Sequence, residues 1–252
     1  HIFKRDGSGA WTEVVMLQPS SKLVGTGSGN KYARFGWSVA IDGDYIAIGA
    51  NTNGYYHQNS NFGGTSNGSA HIYKRDSNGN WNEFDDVIFF NTDLSTRLGG
   101  NASFGSSIVL QGDELFVGTG GTSNQGGATL YVFKMNSGGT GFEPAQSISP
   151  TGDDGFSKHG LAVSGDYMIV GAIYDDYNNN SISNTGAMYT YLRNSSGVWN
   201  ERQHIYVQDL AVNDEFGWSV AIHGDKAIVC SRRTGAYSGV AVVYERTGSD
   251  WN

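Results

Sequence analysis

The 252 residues are enough for one large domain with a sizeable core, and no apolar run approaches the roughly 20 residues that a membrane span needs. Sixteen basic against 24 acidic residues give a formal net charge of −8, which argues against a nucleic-acid partner because such a partner needs a basic face. Only 16% of the residues are charged, and the abundance of Gly, Asn, Ser and Thr favours short strands, tight turns and an extracellular or cell-surface location.

The first predicted element is a strand–turn–strand pattern that recurs along the chain. His1–Asp6 leads through a polar turn to Trp11, and His71–Asp76 leads in the same way to Trp81. Weaker copies follow, and their aromatic residues are Phe142, Trp199 and Trp251. Each copy predicts an alternating strand followed by a strand that opens on an aromatic side chain, which we expect to pack between neighbouring units. Residues 1–17 are thus predicted to form a partial unit.

A second motif lies between these copies and consists of two apolar runs around a glycine turn. Its clearest copy extends from Phe35 to Ala50, with Asp42-Gly43-Asp44 between the runs. An Asp-Gly turn between two apolar runs is typical of a β-hairpin. Ungapped alignment places the starts of the other copies at Phe104, His159 and Phe216, and it makes the copy at His159 two residues shorter than the rest.

Together the two motifs predict units of four antiparallel strands whose starts are 55 to 69 residues apart. A four-stranded sheet repeated at such a spacing is typical of a propeller blade. A single blade cannot bury both of its faces, so neighbouring blades must stack to form the core. No segment has convincing helical periodicity. We therefore predict an all-β fold in which residues 1–252 form one β-propeller domain or a part of a larger propeller.

These segments resemble the FG-GAP repeat family, which includes the propeller of integrin α subunits. Phe35-Gly36 matches the family's Phe-Gly start, and Gly49-Ala50 matches its Gly-Ala-Pro end except that Asn51 replaces the proline. The resemblance covers nearly the whole chain and is closest to the secreted or surface-anchored bacterial and algal members. It implies an extracellular adhesion or structural module that binds a protein or a glycan.

The pattern of units also suggests how copies of the chain could assemble. The first copy of the strand–turn–strand pattern lacks a preceding hairpin, and the last lacks most of its fourth strand. Unpaired strand edges favour the addition of strands from another molecule. We therefore expect a homo-oligomer, and specifically a head-to-tail fibre within a surface or fibrous assembly, as one partner arrangement.

Calcium is the one cofactor that the resemblance implies. Many family members bind Ca²⁺ in the loop after Gly-Ala-Pro, and this ion requires about six to eight oxygen ligands, several of them charged. Of the four corresponding loops, only the third is rich in such groups, and its candidate ligands are Asp175, Asp176, Asn178 and Asn180. The alternative is a hydrophilic loop that turns by Asn and Asp chemistry.

Two further sets of loop residues are candidate functional positions. The long insertion of the first unit carries exposed aromatic and imidazole side chains suited to a sugar or protein contact, namely Tyr55, Tyr56, His57 and Phe62. A self-packed Ω-loop is the alternative for this insertion. Four Asn-x-Ser/Thr sequons lie in predicted loops and turns and are candidate glycosylation sites: Asn67, Asn101, Asn179 and Asn194.

Enzymatic activity is not expected. Propeller glycosidases use a carboxylate pair that interrupts the repeat, whereas the hairpin carboxylates of this chain recur in every unit, as Asp44, Asp113, Asp166 and Asp225. Recurrence predicts a structural task such as bonding turn amides. Three hypotheses therefore stand in this order: an adhesion or structural module, a carbohydrate-binding propeller, and a glycoside hydrolase.

Overall fold

The computed structural model describes residues 1–18, 34–52, 68–88, 103–120, 128–150, 155–177, 182–232 and 239–252. Every regular element in these ranges is a β-strand, which confirms the all-β class. The strands form four four-stranded antiparallel sheets and one two-stranded sheet, the blades that the repeat predicts. None of these residues belongs to a helix that could cross a membrane.

The strands follow one another through the blades in chain order. A half-blade comes first, formed by β1 (Ile2–Arg5) and β2 (Trp11–Val15). The first blade contains β3 (Phe35–Asp42), β4 (Tyr45–Ala50), β5 (Ser69–Arg75) and β6 (Trp81–Ile88). The second blade contains β7 (Ser107–Gln111), β8 (Glu114–Gly118), β9 (Leu130–Met135) and β10 (Phe142–Ile148).

The last two blades repeat the same meander. The third blade contains β11 (Phe156–Ser164), β12 (Tyr167–Ala172), β13 (Ala187–Arg193) and β14 (Trp199–Ile205). The fourth blade contains β15 (Phe216–His223), β16 (Lys226–Ser231), β17 (Val240–Thr247) and β18 (Asp250–Trp251). In each blade the first strand pairs with the second, the second with the third and the third with the fourth.

The repeated glycines bring the backbones of consecutive blades into direct contact. Gly171 in β12 lies against the carbonyl group of Gly217 in β15, so closely that a Cβ added at Gly171 would overlap the carbonyl oxygen. Gly49 lies in the same way against Gly105 of the next blade. Gly217 also has a φ of 89°, a left-handed conformation that L side chains rarely adopt. The Phe-Gly and Gly-Ala segments therefore form one interface between neighbouring blades.

The third blade begins earlier than the sequence alignment predicts. Phe156, and not His159, pairs with Ala172, as the phenylalanines of the first and fourth blades pair with the last residue of their second strand. Ser157 has a φ of 57° and takes the place of the glycine that follows phenylalanine in the other blades. This copy is therefore longer than the others, not shorter, because its bulge contains an extra residue; His159 lies inside β11.

The hydrophobic core lies between the blades. The aromatic residue that opens each fourth strand contacts the preceding blade: the ring centroids of Phe142 and Tyr45 are 6.3 Å apart, and those of Trp199 and Phe116 are 5.5 Å apart. Phe156, one of the largest fully buried side chains, belongs to the cluster between the second and third blades. The predicted packing between units is confirmed for Phe142, Trp199 and Trp251, whereas it is wrong for Trp11, which is 67% exposed on the half-blade.

Candidate functional site

The first strands of the four blades meet around a concavity of about 980 Å³. Its volume lies within the roughly 300–1,000 Å³ that small-molecule sites occupy. The lining comes from the beginnings of β3, β7, β11 and β15 and from residues that follow the second strands. Its aromatic and charged members are Arg34, Trp37, Lys158, His159, Tyr174, Trp218 and Arg232.

A backbone bulge at the start of each first strand places side chains in this concavity. In β3 the pairing with β4 passes from Phe35 directly to Ser38, so Trp37 lies in the bulge. Trp218 occupies the same position in β15, where the pairing passes from Phe216 to Ser219. Both tryptophans line the concavity. The positive-φ glycine that makes the blade contact therefore also exposes an indole ring near the propeller axis.

Three cationic side chains line the concavity although the chain has a net charge of −8. Arg232 lies 2.8 Å from the carboxylate of Glu215. The Nζ atom of Lys158 lies 3.2 Å from the hydroxyl oxygen of Tyr174 and 4.7 Å from the centroid of its ring. Within the described residues, neither Lys158 nor Arg34 is within ion-pair distance of a carboxylate. The local charge of the concavity is therefore positive.

The aromatic rings differ in how much surface they leave accessible. The ring of Trp218 stacks on His159 with centroids 3.9 Å apart, and the Cζ atom of Arg232 lies 4.0 Å from the same indole. Trp37 is 45% exposed, and the Cζ atom of Arg34 lies 5.2 Å from its ring centroid. Trp37 is therefore the indole with the larger surface free for a ligand.

The pKa of His159 reflects both its burial and the positive charges of the concavity. Burial, and then the charges of Lys158 and Arg232, lower the pKa of His159 from 6.5 to about 4. The imidazole is therefore neutral near pH 7, and its stacking on Trp218 is a contact between two uncharged rings. A negative charge brought into the concavity would oppose the effect of the two cations on this pKa.

Hydrogen-bond acceptors complete the lining. The hydroxyl groups of Ser38 and Ser107 donate to the carbonyl oxygens of Gly105 and Ser157 across the blade interfaces, at 2.7 and 2.6 Å. A hydroxyl has one proton to donate, so these oxygens can only accept a further hydrogen bond. Asn51 is 5% exposed, and its Oδ1 atom has no hydrogen-bond partner among the described residues. Buried polar atoms normally have a partner, so Asn51 is suited to a donor on a ligand or a water molecule.

Comparison with known proteins identifies the repeat. The model of the FG-GAP repeat family matches residues 11–73 and 199–244. These two regions of the chain are FG-GAP repeats. No curated protein matches its sequence significantly.

Two solved structures share the fold of this chain at low sequence identity. A candidate 6-phosphogluconolactonase from Bacteroides uniformis is 12% identical, with a TM-score of 0.56 over 86% of this chain and 55% of that chain. A protein from Lactobacillus plantarum is 11% identical, with a TM-score of 0.56 over 99% of this chain and 62% of that chain. The chain thus spans between half and two thirds of the length of these propeller-like structures, and the likeness shows the fold alone.

The predicted calcium ligands lie partly within the described residues. Asp175 is 5% exposed; its Oδ2 atom lies 2.7 Å from Nε2 of His204, and its Oδ1 atom accepts a hydrogen bond of 2.9 Å from Tyr206. Asp176 accepts a hydrogen bond from the backbone N–H of Asn184 at 2.7 Å. The other two predicted ligands, Asn178 and Asn180, lie outside the described residues. A cation in this loop would thus compete with internal partners of both aspartates, and the Ca²⁺ site stays a prediction.

The predicted ligand-binding residues Tyr55, Tyr56, His57 and Phe62 lie outside the described residues. The insertion that carries them follows Asn51 and Thr52, and both of these residues line the concavity.

Three of the four sequons also lie outside the described residues, at Asn67, Asn101 and Asn179. The fourth, Asn194, is exposed on the turn between β13 and β14, where its Oδ1 atom accepts hydrogen bonds from the backbone of Ser196 and Val198. An exposed turn is the setting that the sequence predicts for it. Glycosylation of Asn194 stays a prediction.

The repeated hairpin carboxylates have structural partners. The side chain of Asp44 pairs with Arg75 at the end of β5, and that of Asp166 pairs with Arg193 at the end of β13. Arg193 reaches further, to the buried carboxylate of Glu114 in the second blade at 2.9 Å. These pairs tie the hairpins of the first and third blades to the third strand of the same blade, and Arg193 also joins the third blade to the second. The partners of these two carboxylates are arginine side chains and not the turn amides that the sequence suggested.

Sequence reasoning missed the concavity itself. Its cations and rings stand at different repeat positions in different units, so no single motif displays them. One signal was available: the position two residues after phenylalanine is Trp37 in the first copy and Trp218 in the fourth, but Ser106 in the second. A position that accepts serine does not need an indole for the core, so its tryptophans point to a surface role.

Proposed function

We propose that this FG-GAP repeat protein is a non-catalytic binding module that acts outside the cell or at its surface, in adhesion or in an extracellular assembly. The observation that carries the proposal is the concavity at the centre of the blades. There an exposed indole, cations without a carboxylate partner among the described residues, and hydrogen-bond acceptors come from different blades and face one volume. Concave sites with a few convergent polar groups are the usual position of a ligand.

The arrangement of the carboxylates favours binding over hydrolysis. Glycosidases need two carboxyl groups about 5 to 9.5 Å apart across the substrate. No carboxylate is among the described residues that line the concavity. The described residues also include no group of three or more His, Cys, Asp or Glu side chains arranged to hold a metal ion. The likeness to the candidate lactonase, at 12% identity, is one of fold and says nothing of a shared activity.

The composition of the chain supports a role outside the cell. Charged residues are few, the one cysteine needs no disulfide partner, and the FG-GAP match links the chain to a family of extracellular type. A ligand in that setting is a protein of the matrix or a glycan. The accessible ring of Trp37 supports the sugar-binding alternative, since an aromatic face can stack on the apolar face of a sugar ring.

The proposal is tested with the purified chain on an array of matrix proteins and of neutral and acidic glycans. We expect at least one class of ligand to bind, and Trp37→Ala to lower its affinity by about tenfold, the loss typical of one well-placed aromatic contact. Trp11→Ala is the matched control, because Trp11 is 67% exposed on the half-blade and does not line the concavity. Equal losses for the two variants, or no binding to any array member, would overturn the proposal.

A further inference from the structure

The concavity contains two cations that have no carboxylate partner among the described residues. It also contains serine hydroxyl groups whose protons are already donated to carbonyl oxygens, so that these hydroxyls can only accept hydrogen bonds from a ligand. Most described arginines lie beside carboxylates, as Arg75 does beside Asp44, but Lys158 and Arg34 have no such partner among the described residues. Two unpaired cations in one site attract an anion, since the low dielectric of a cleft strengthens the interaction. The first requirement on the ligand is therefore an acidic group.

The serine hydroxyls set the second requirement. Ser38 and Ser107 donate to carbonyl groups across the blade interfaces, and Ser106 donates to the carbonyl oxygen of Ser103 at 2.7 Å. What these oxygens offer to a ligand is lone pairs. Asn51 adds a buried oxygen that has no hydrogen-bond partner within the described part of the chain. A ligand that fits these groups must supply several hydrogen-bond donors close together, in addition to its acidic group.

The indole of Trp37 sets the third requirement. Its 45% exposed ring lies beside the guanidinium group of Arg34, with the Cζ atom 5.2 Å from the ring centroid. A ligand that reaches Arg34 with its acidic group can therefore place an apolar face on Trp37. An inorganic anion has no such face, and an acidic peptide has no cluster of hydroxyl donors around its carboxylate.

We propose that the concavity binds a sugar acid, a hexuronic or sialic acid residue of an acidic glycan. The carboxylate lies between Lys158 and Arg34, the ring rests on Trp37, and the hydroxyl groups donate to the serine oxygens and to Asn51. This inference rests on the proposed binding function and specifies its ligand class. It also accounts for a positive concavity in an acidic chain, because the negative surface around it disfavours non-specific contact with acidic polymers.

The test measures binding by titration calorimetry to trigalacturonic acid and to sialyllactose, each beside its neutral counterpart, the methyl ester and lactose. We expect at least one of the two acids to bind, with about tenfold weaker binding of its neutral counterpart, because a charge-assisted hydrogen bond is lost. The two acids distinguish a uronate from a sialate source. Poly-L-glutamate and sulfate serve as acidic probes without a sugar ring.

Lys158→Gln and Arg34→Gln are the decisive variants. Each keeps a polar side chain of similar length, and we expect each to weaken acid binding by about tenfold while leaving the neutral counterpart within about twofold. Lys134→Gln, in a weak surface pair with Asp113 at 3.7 Å, is the control and should change neither. Circular dichroism melts of all three variants exclude unfolding as the cause of a loss.

Four outcomes would overturn the inference: equal affinity for acid and neutral counterpart, binding of poly-L-glutamate or sulfate as tight as that of the sugar acid, no effect of Lys158→Gln, or no binding of either acid. If the array nevertheless shows a protein or a neutral glycan whose binding depends on Trp37, the proposed binding function stands and only the ligand class is wrong. Failure on the array as well would remove both.

Discussion

The third and fourth blades have second strands of the same kind in different surroundings. β12 reads Tyr-Met-Ile-Val-Gly-Ala and is buried after its first residue, whereas β16 reads Lys-Ala-Ile-Val-Cys-Ser and alternates between buried and exposed residues. Ile169 and Ile228 occupy the same position, yet Ile169 is fully buried and Ile228 is 40% exposed. The strands have the same pairing, so the difference comes from the neighbouring blade: the fourth blade covers one face of β12, and no described strand covers the same face of β16.

In the first blade, too, the burial of a strand depends on the neighbour that covers it, here on the side that faces the half-blade. The half-blade packs Ile2 and Leu17 against Ile46 and Ile48 of β4. Val39 in β3 is 67% exposed, because the half-blade has only its two outer strands among the described residues and these do not cover it. Burial in this protein is thus determined by the neighbouring blade, and the two open faces are where a further blade or a second copy would pack. The head-to-tail assembly stays a prediction, and these two faces are the surfaces that it would use.

The largest effect is expected where two blades touch through their backbones. Gly171→Ala would drive a methyl group into the carbonyl oxygen of Gly217, which cannot move without shifting the fourth blade. We expect the free energy of unfolding to fall by roughly 3 kcal/mol or more, the upper end of ordinary overpacking. Chemical denaturation measures it. Gly224→Ala is the control: its φ is 60° and no atom lies within 4 Å, so only about 1 kcal/mol of backbone strain is expected.

A smaller effect is expected from the same substitution at two equivalent positions. Ile169→Ala removes a fully buried side chain and should lower the free energy of unfolding by about 3 kcal/mol, whereas Ile228→Ala should lower it by about 1 kcal/mol. Denaturation of the two variants under one condition gives the difference directly. Equal losses would mean that the open face of the fourth blade is covered in solution, and a concentration-dependent loss would identify a second copy as the cover.

Much of this fold could be predicted from the sequence because each blade repeats the same local chemistry. The glycine turns predicted the hairpins, and the aromatic residue at each fourth strand predicted the contact between blades, since both depend on a few residues that recur. The start of the third blade could not be predicted in this way. Ser157 adopts the left-handed conformation that glycine adopts elsewhere, and the extra residue in its bulge shifted the alignment to His159.

The candidate site was less predictable because it is assembled from residues that do not recur. Lys158 belongs to the third blade, Trp37 to the first and Arg232 follows the fourth blade's second strand, and only the arrangement of blades around an axis brings them together. Asp175 shows the reverse case. Its acidic surroundings in sequence indicated calcium, but in the structure its carboxylate contacts His204 and Tyr206 within the same blade.

The next effect depends on pH and involves the stacked imidazole. His159 has a folded pKa of about 4 against an ordinary value of 6.5, so between these values the unfolded chain binds more protons than the folded one. The free energy of unfolding should therefore fall as the pH is lowered from 6.5 to 4. Below pH 4, His159 should cause no further fall. The shift corresponds to about 3 kcal/mol at most, and to about 1–2 kcal/mol once solvent screening of a partly exposed ring is allowed for.

Two variants isolate this contribution in denaturation experiments across that pH range. His159→Gln should flatten the pH dependence relative to the unchanged chain, because glutamine does not titrate. Lys158→Gln should move the pKa of His159 back toward its ordinary value, since it removes one of the two cations that lower it. A pH dependence unchanged in His159→Gln would assign the slope to other groups.

The smallest effect concerns hydrogen bonds that join the outer strands of neighbouring blades. The side chain of Gln146 in β10 donates to the carbonyl oxygen of Trp199 and accepts from its N–H, at 2.8 and 2.9 Å. Gln203 makes the same pair with Trp251, but one of its bonds is longer, at 3.3 Å. Gln146→Ala should lower the free energy of unfolding by about 1 kcal/mol, and Gln203→Ala by less.

Amide hydrogen exchange separates this local effect from the global one. The N–H of Trp199 is the donor to Gln146, so Gln146→Ala should speed its exchange more than the loss of global stability alone predicts, while Gln203→Ala should leave it nearly unchanged. If both variants increased the exchange rate of the Trp199 amide equally, the loss of either pair of hydrogen bonds would lower the stability of the whole domain and not only that of one contact between outer strands.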